Sequence, residues 1–117
     1  MALKKMVERF TKSTDELDRE QLTAFCDARH FEAMDHLVAR RPVHVGGEVR
    51  AVRIVPRAGA PALEVTLSDG RGQVVAVFLG RRKIAGLSPG RRVAVSGVIA
   101  HDGNRSVVFN PAYELLS

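Results

Sequence analysis

The apolar residues of this chain follow two different periods, and the change between them falls near Pro42. In the first part Leu3, Met6, Val7 and Phe10 sit at i, i+3, i+4 and i+7, the stripe of one helix face. Ser13 and Glu16 have the spacing of a capping box, in which each side chain satisfies a backbone N–H at a helix start. Leu22, Phe25 and Cys26 carry a helical stripe onward, with Leu17 near its beginning. The stretch from Asp27 to Arg41 is ambiguous. Phe31, Met34, Leu37 and Val38 suit another short helix, which Arg40-Arg41-Pro42 must end because the residue before proline avoids the helical region.

From Pro42 onward the period is two. Val43 and Val45 open a strand that continues through Val49 to Val55, and Gly46-Gly47 inside it predict a bulge or sharp bend. Pro56 to Pro61 reads as a loop. Leu63, Val65 and Leu67 alternate with Glu64, Thr66 and Ser68 in a half-buried second strand. Asp69-Gly70-Arg71-Gly72 is a tight turn. Val74 to Leu79 is a third strand, with Val74, Ala76 and Phe78 expected inside and Val75, Val77 and Leu79 outside. Arg81 to Leu87 reads as a short helical connector, and Ser88-Pro89-Gly90 as a turn. Val93 to Ile99 and Val107 to Asn110 complete five strands, with Phe109 expected in the core beside Val107 and residues 112–117 left as a tail. Five strands with a connector between the third and fourth is the order of an OB fold, a small Greek-key barrel. The expected fold class is therefore mainly β. A five-stranded OB-fold barrel spans residues 42–117, and an N-terminal helical extension spans residues 1–41.

Composition adds the expected setting. The 117 residues include one cysteine, Cys26, so no internal disulfide framework is possible and a reducing compartment fits. No run approaches the ~20 apolar residues that span a bilayer, and the start lacks a secretory apolar core. A cytoplasmic protein without a membrane partner is expected. The net charge of +5 is unevenly placed. Residues 1–41 hold eight basic and eight acidic side chains, whereas residues 42–117 hold ten basic and five acidic. An excess of arginine confined to the strand-rich part points to an anionic partner, most commonly nucleic acid.

The segments PVHVGGEVRAVRIV, LEVTLSDGRGQVVAVFLG, IAGLSPGRRVAVSGVI and VVFNPAYELL together resemble nucleic-acid-binding OB domains of the anticodon-binding and helicase-wedge type. The nearest resemblance is to small stand-alone OB-fold proteins of high-GC bacteria, over residues 42–115. That family binds on the outer face of the second and third strands, with the first strand and the flanking loops. The resemblance therefore implies a site of Arg50, Arg53, Arg57, Thr66, Ser68, Arg71, Val75, Val77 and Arg105. Guanidinium groups suit it because they pair bidentately with phosphate and stack on bases. The pattern departs from the family's in lacking an aromatic residue on either outward set, while Glu64 sits where phosphate would pass. A valine-rich outer face left bare would mark an interface, covered by the N-terminal helices or by a second copy.

Other chemistry is weaker. Cys26 and His30 share a helix face and His36 follows, but one cysteine is too few for a structural zinc site. No nucleophile elbow, phosphate-cradling loop or dinucleotide fingerprint is present. No cofactor or metal is expected, and no enzyme activity. Arg81-Arg82-Lys83, with Arg91-Arg92 at the other end of the connector, is the densest positive cluster and a further candidate for phosphate contact. The expected function is a non-catalytic module that binds nucleic acid through an arginine-rich groove with little sequence preference. Single-stranded DNA is placed ahead of RNA. The alternative is a protein-interaction or self-assembling module using the valine face and the N-terminal helix.

Overall fold

The computed structural model describes residues 13–116, and helix α1 (Thr14–Ala28) is the first element among them. The expected stripe of Leu3, Met6, Val7 and Phe10 lies outside those residues. Ser13 is the N-cap, its hydroxyl accepting from the Glu16 backbone N–H at 3.1 Å. Leu22 and Cys26 face inward, while Leu17 stays largely exposed. The helix stops at Arg29. His30 takes a positive φ of 59°, and backbone N–H groups of His30 and Phe31 return to the carbonyls of Asp27 and Cys26. This is a Schellman ending with histidine where glycine is usual. His30→Gly should therefore raise stability by about 1 kcal/mol, read as a higher midpoint in a thermal melt. The second helix expected over residues 31–38 reduces to a single 3₁₀ turn, Met34–His36. The chain there is held to the strands instead. Glu32 exchanges hydrogen bonds with His44, Met34 N–H donates to Asp69 Oδ2, and Arg40 N–H donates to the Ile99 carbonyl.

Six strands follow: β1 (Pro42–Arg57), β2 (Ala60–Ser68), β3 (Gln73–Leu79), β4 (Arg92–Asp102), β5 (Arg105–Phe109) and β6 (Ala112–Leu115). Strands β1, β2, β3, β5 and β4 are hydrogen-bonded in that order, and β4 returns to β1, so the five form a closed ring. Among the described strands only the β3–β5 pair is parallel. Strand β1 joins both halves. Residues 42–48 pair with β4 and residues 48–57 pair with β2. The ring is filled by Val45, Val49, Leu63, Val65, Leu67, Val74, Ala76, Phe78, Val93, Val95, Ile99 and Val108. Ile84 and Leu87 from the connector and Met34 from the 3₁₀ turn also enter this core.

Several expectations change. The β1 bulge lies at Arg50, between Val49 and Ala51, not at Gly46-Gly47. The two glycines serve close approach instead. A Cβ on Gly46 would lie 2.3 Å from the Phe31 ring, and one on Gly47 would lie 2.5 Å from the Ser68 carbonyl oxygen. The loop expected over residues 56–61 is a two-residue hairpin, because β1 runs on to Arg57 and β2 begins at Ala60. Ala58 and Gly59 both take positive φ, as a type I′ connection requires. The connector from Arg81 to Leu87 forms turns, with no helix. The tail adds β6 to the free side of β4. Phe109 is 41% exposed, and Val108, not Phe109, takes the core position on β5.

Candidate nucleic-acid interface

The outer face of β1, β2, β3 and β5 carries most of the residues expected to form the site. Its register sets Arg53 opposite Glu64, Glu64 opposite Val77, Thr66 opposite Val75, and Val75 opposite Val107. Side chains paired across strands share a face. Arg53, Glu64, Thr66, Val75, Val77 and Val107 therefore lie on one surface.

That surface is not a bare valine sheet. Ala62, Val75, Val77 and Val107 form a second buried cluster, with Val77 fully buried. Helix α1 is not its cover, since it packs on β1 and the β2–β3 turn, where Cys26 Sγ–H donates to the Gly46 carbonyl and Thr23 Oγ1–H to the Asp69 carbonyl. The arginines roof it. Arg105 reaches from β5 to Glu64 on β2, with Nη1 2.9 Å from Oε1. Strand β3 lies between β5 and β2, so the side chain crosses over its valines. Arg53 donates to the same oxygen at 3.0 Å, and Arg57 reaches Oε2 at 3.4 Å. Asp102 closes the group from the solvent side, accepting from Arg57 and Arg105 at 3.0 Å each.

Three guanidinium groups thus face two carboxylates. Glu64, 3% exposed at its side chain, carries its charge because the three cations outweigh the penalty of burial. Its hydrogen bond to Arg105 is the largest influence, and its pKa falls to about 2. Asp102 is also held below the usual carboxylate range, first by Arg105 and then by Arg57. Arg57 fits the cluster imperfectly, because its Nε–H is buried with no partner among the described residues.

Two polar clefts border the roof. The first, of about 470 Å³, is lined by Arg53, Thr66, Gln73, Val75, Asn104, Arg105 and Ser106. The second, of about 460 Å³, shares Gln73 with the first and is lined by Arg50 and Ser68, together with Asp15, Asp18, Arg19 and Gly70. The bulge aims Arg50 into this cleft, a common use of the extra residue. Among the described residues Arg50 keeps a long contact to Glu48, at 3.4 Å.

The remaining expected site residues lie elsewhere or are otherwise engaged. Arg71 forms a bidentate pair with Asp27 of α1 at 2.7 and 2.8 Å, joining the β2–β3 turn to the helix. Asp69 in the same turn is buried and accepts from the N–H groups of Met34, Arg71 and Gly72. Arg81, Arg82 and Lys83 are exposed and unpaired among the described residues, and they line neither cleft. Arg92 does not join them. It stacks 4.2 Å from the Phe25 ring centroid, with Arg29 at 3.5 Å from the same ring. Sequence reasoning missed Gln73, Asn104 and Ser106, and it read Glu64 only as a repulsive charge. The signal for Glu64 was present: a carboxylate on an outward strand position, with arginines on the neighbouring strand and loops.

Cys26 is structural. Its Sγ–H donates to the Gly46 carbonyl at 3.3 Å, and burial, followed by the nearby Asp69 charge, pushes the thiol up to about 11. It stays protonated, neither a ready metal ligand nor a nucleophile. The described residues bring no three His, Cys, Asp or Glu side chains together to hold a metal ion. None of their helices is long and apolar enough to cross a membrane.

No curated protein sequence matches the chain. The match to a family model is decisive for its class. Residues 43–116 match the tRNA anticodon family, described as OB-fold nucleic acid binding domain, so the closed ring with its arginine-roofed face belongs to a member of that family.

Proposed function

We propose that the chain is a non-catalytic module that binds single-stranded nucleic acid, DNA ahead of RNA, on the outer face of β1, β2, β3 and β5. The observation that carries this reading is the convergence of Arg53, Arg57 and Arg105 over that face, beside clefts edged with neutral hydrogen-bonding groups. Phosphates compete with Glu64 and Asp102 for these guanidinium groups. Arg53, with its side chain 64% exposed, and Arg50, 41% exposed, meet them first. Arg105 follows by turning from Asp102 towards the strand. A single strand bends to follow the curved ring, whereas a duplex stays stiff over about 150 base pairs. A non-catalytic role fits Glu64, because an ionised carboxylate locked to three arginines has no proton to give near neutral pH and little basicity.

Fluorescence anisotropy with a labelled dT oligonucleotide, a matched rU oligonucleotide and a duplex tests this reading. Saturable binding to the single strand is expected, and log affinity should fall with log salt at a slope of roughly −2 or steeper, as for at least about three phosphates on a single strand. Absence of binding at low salt, or a slope near zero, would contradict it. Tighter binding to rU than to dT would move the substrate to RNA. Asp102→Asn removes the exposed competitor while Glu64 still holds the roof together. It should raise affinity about fivefold at low salt, the effect of one screened surface charge.

A further inference from the structure

The arginine-roofed face runs into an apolar end that the family resemblance does not use. Strand β5 turns Phe109 outward, and Val98 on β4 is 53% exposed. With Ala39, Arg40, Ala100 and His101 they line a cleft of about 720 Å³. Two cations lie at the cleft or its ring. Arg40 lines the cleft, and the Arg57 guanidinium lies 5.3 Å from the Phe109 centroid. No carboxylate lines the cleft among the described residues. The cleft also continues the arginine surface. His101 is paired with Ser106 across β4 and β5, and Ser106 lines the cleft that holds Arg53 and Arg105.

We infer that this cleft is a base-stacking subsite, with Phe109 as its platform and Arg40 and Arg57 holding the flanking phosphates. The inference rests on the nucleic-acid reading above and adds where a base would go. An unpaired nucleobase offers a flat π face flanked by anionic linkages. The cleft offers a flat apolar ring with cations nearby and no carboxylate in its lining, while Arg57 shares its charge with Glu64 and Asp102 behind it. Any base can stack there, so the subsite adds affinity with little sequence preference. It also supplies the aromatic contact that β2 and β3 lack. Phe109 is left open for a simple reason. Alternation gives Val108 to the core and Val107 to the arginine roof, and β5 ends at the next outward position, where Phe109 stays 41% exposed.

The test compares a labelled dT oligonucleotide with an abasic deoxyribose-phosphate chain of the same length, and adds an oligonucleotide carrying 2-aminopurine. Phe109→Ala should weaken dT binding about tenfold, leave the abasic chain and the salt slope unchanged, and abolish stacking-induced quenching of 2-aminopurine. Phe109→Trp should restore both affinity and quenching. Phe109→Leu keeps an apolar side chain for folding while removing the π face, and it should bind dT as weakly as the alanine variant. Equal dT binding by parent and by Phe109→Ala would overturn the subsite alone. Equal loss on dT and on the abasic chain would also overturn it, since that marks a general distortion. Failure of the parent to bind either chain would overturn the subsite and the function together.

Discussion

Glu64→Gln should destabilise the fold by about 2–3 kcal/mol, although the substitution changes only one atom and almost no volume. The cost arises because the amide cannot neutralise three guanidinium groups held within hydrogen-bond range of one site. It stays below that of a wholly buried pair because the arginines are partly open to water. The pH dependence carries the same signature. The folded Glu64 carboxyl titrates at about 2 against an ordinary value of 4.5. A depressed pKa gives stability that is fully present above the unfolded value and lost as pH falls through the folded one. The parent should therefore lose this increment between about pH 4.5 and 2, and Glu64→Gln should lose much less over that window. Asp27 and Asp102 are also depressed, so some acid sensitivity remains in the variant. Chemical denaturation across pH 2–5 separates the two proteins. Parallel curves would show that the cluster contributes nothing to stability.

The second large effect is on binding. Arg50→Glu with Arg53→Gln should weaken single-strand binding about a hundredfold at low salt and make the salt slope shallower by about 1.4, as expected for two lost phosphate contacts. Arg53→Gln is chosen because glutamate at that position would lie against Glu64 and confound binding with unfolding. Glutamine still donates to the buried carboxylate. The double variant should melt close to the parent, since both side chains project into solvent. Binding equal to the parent's would remove β1 from the interface.

Much of this architecture is legible in the residues. The period-two runs mark β1 to β5, and Leu63, Val65 and Leu67 point inward as their alternation implies. The β1 bulge was also visible. Its buried valines sit at odd positions through Val49, and the next residue to pack on the core is Val52, a parity change that requires one extra residue. The glycine pair mimics a bulge signal because glycine serves bulges and close approaches alike. Phe109 departs from its expected core position because the face it shares with Val107 is the roofed outer one. Alternation reports which residues share a face, and not which face is inside.

The least legible part was the state of the arginines. Composition counts them as free cations for a polyanion. The fold gives Arg71 to Asp27 and shares Arg53, Arg57 and Arg105 among Glu64 and Asp102. These pairings join residues up to 45 positions apart in sequence, so no local spacing announces them. They turn part of the apparent excess of charge into a largely self-paired surface, and they lower the salt dependence to expect from it.

The most direct test of the interface is a ¹⁵N-HSQC titration of the protein with a dT oligonucleotide at low salt, followed at backbone amides and arginine Nε–H groups. The account predicts progressive shifts at Arg50, Arg53, Thr66, Gln73, Val75 and Arg105, with Arg71 and the Arg81–Lys83 connector unmoved. Shifts confined to Arg81, Arg82 and Lys83, with the outer face silent, would contradict it and place the nucleic acid on the connector.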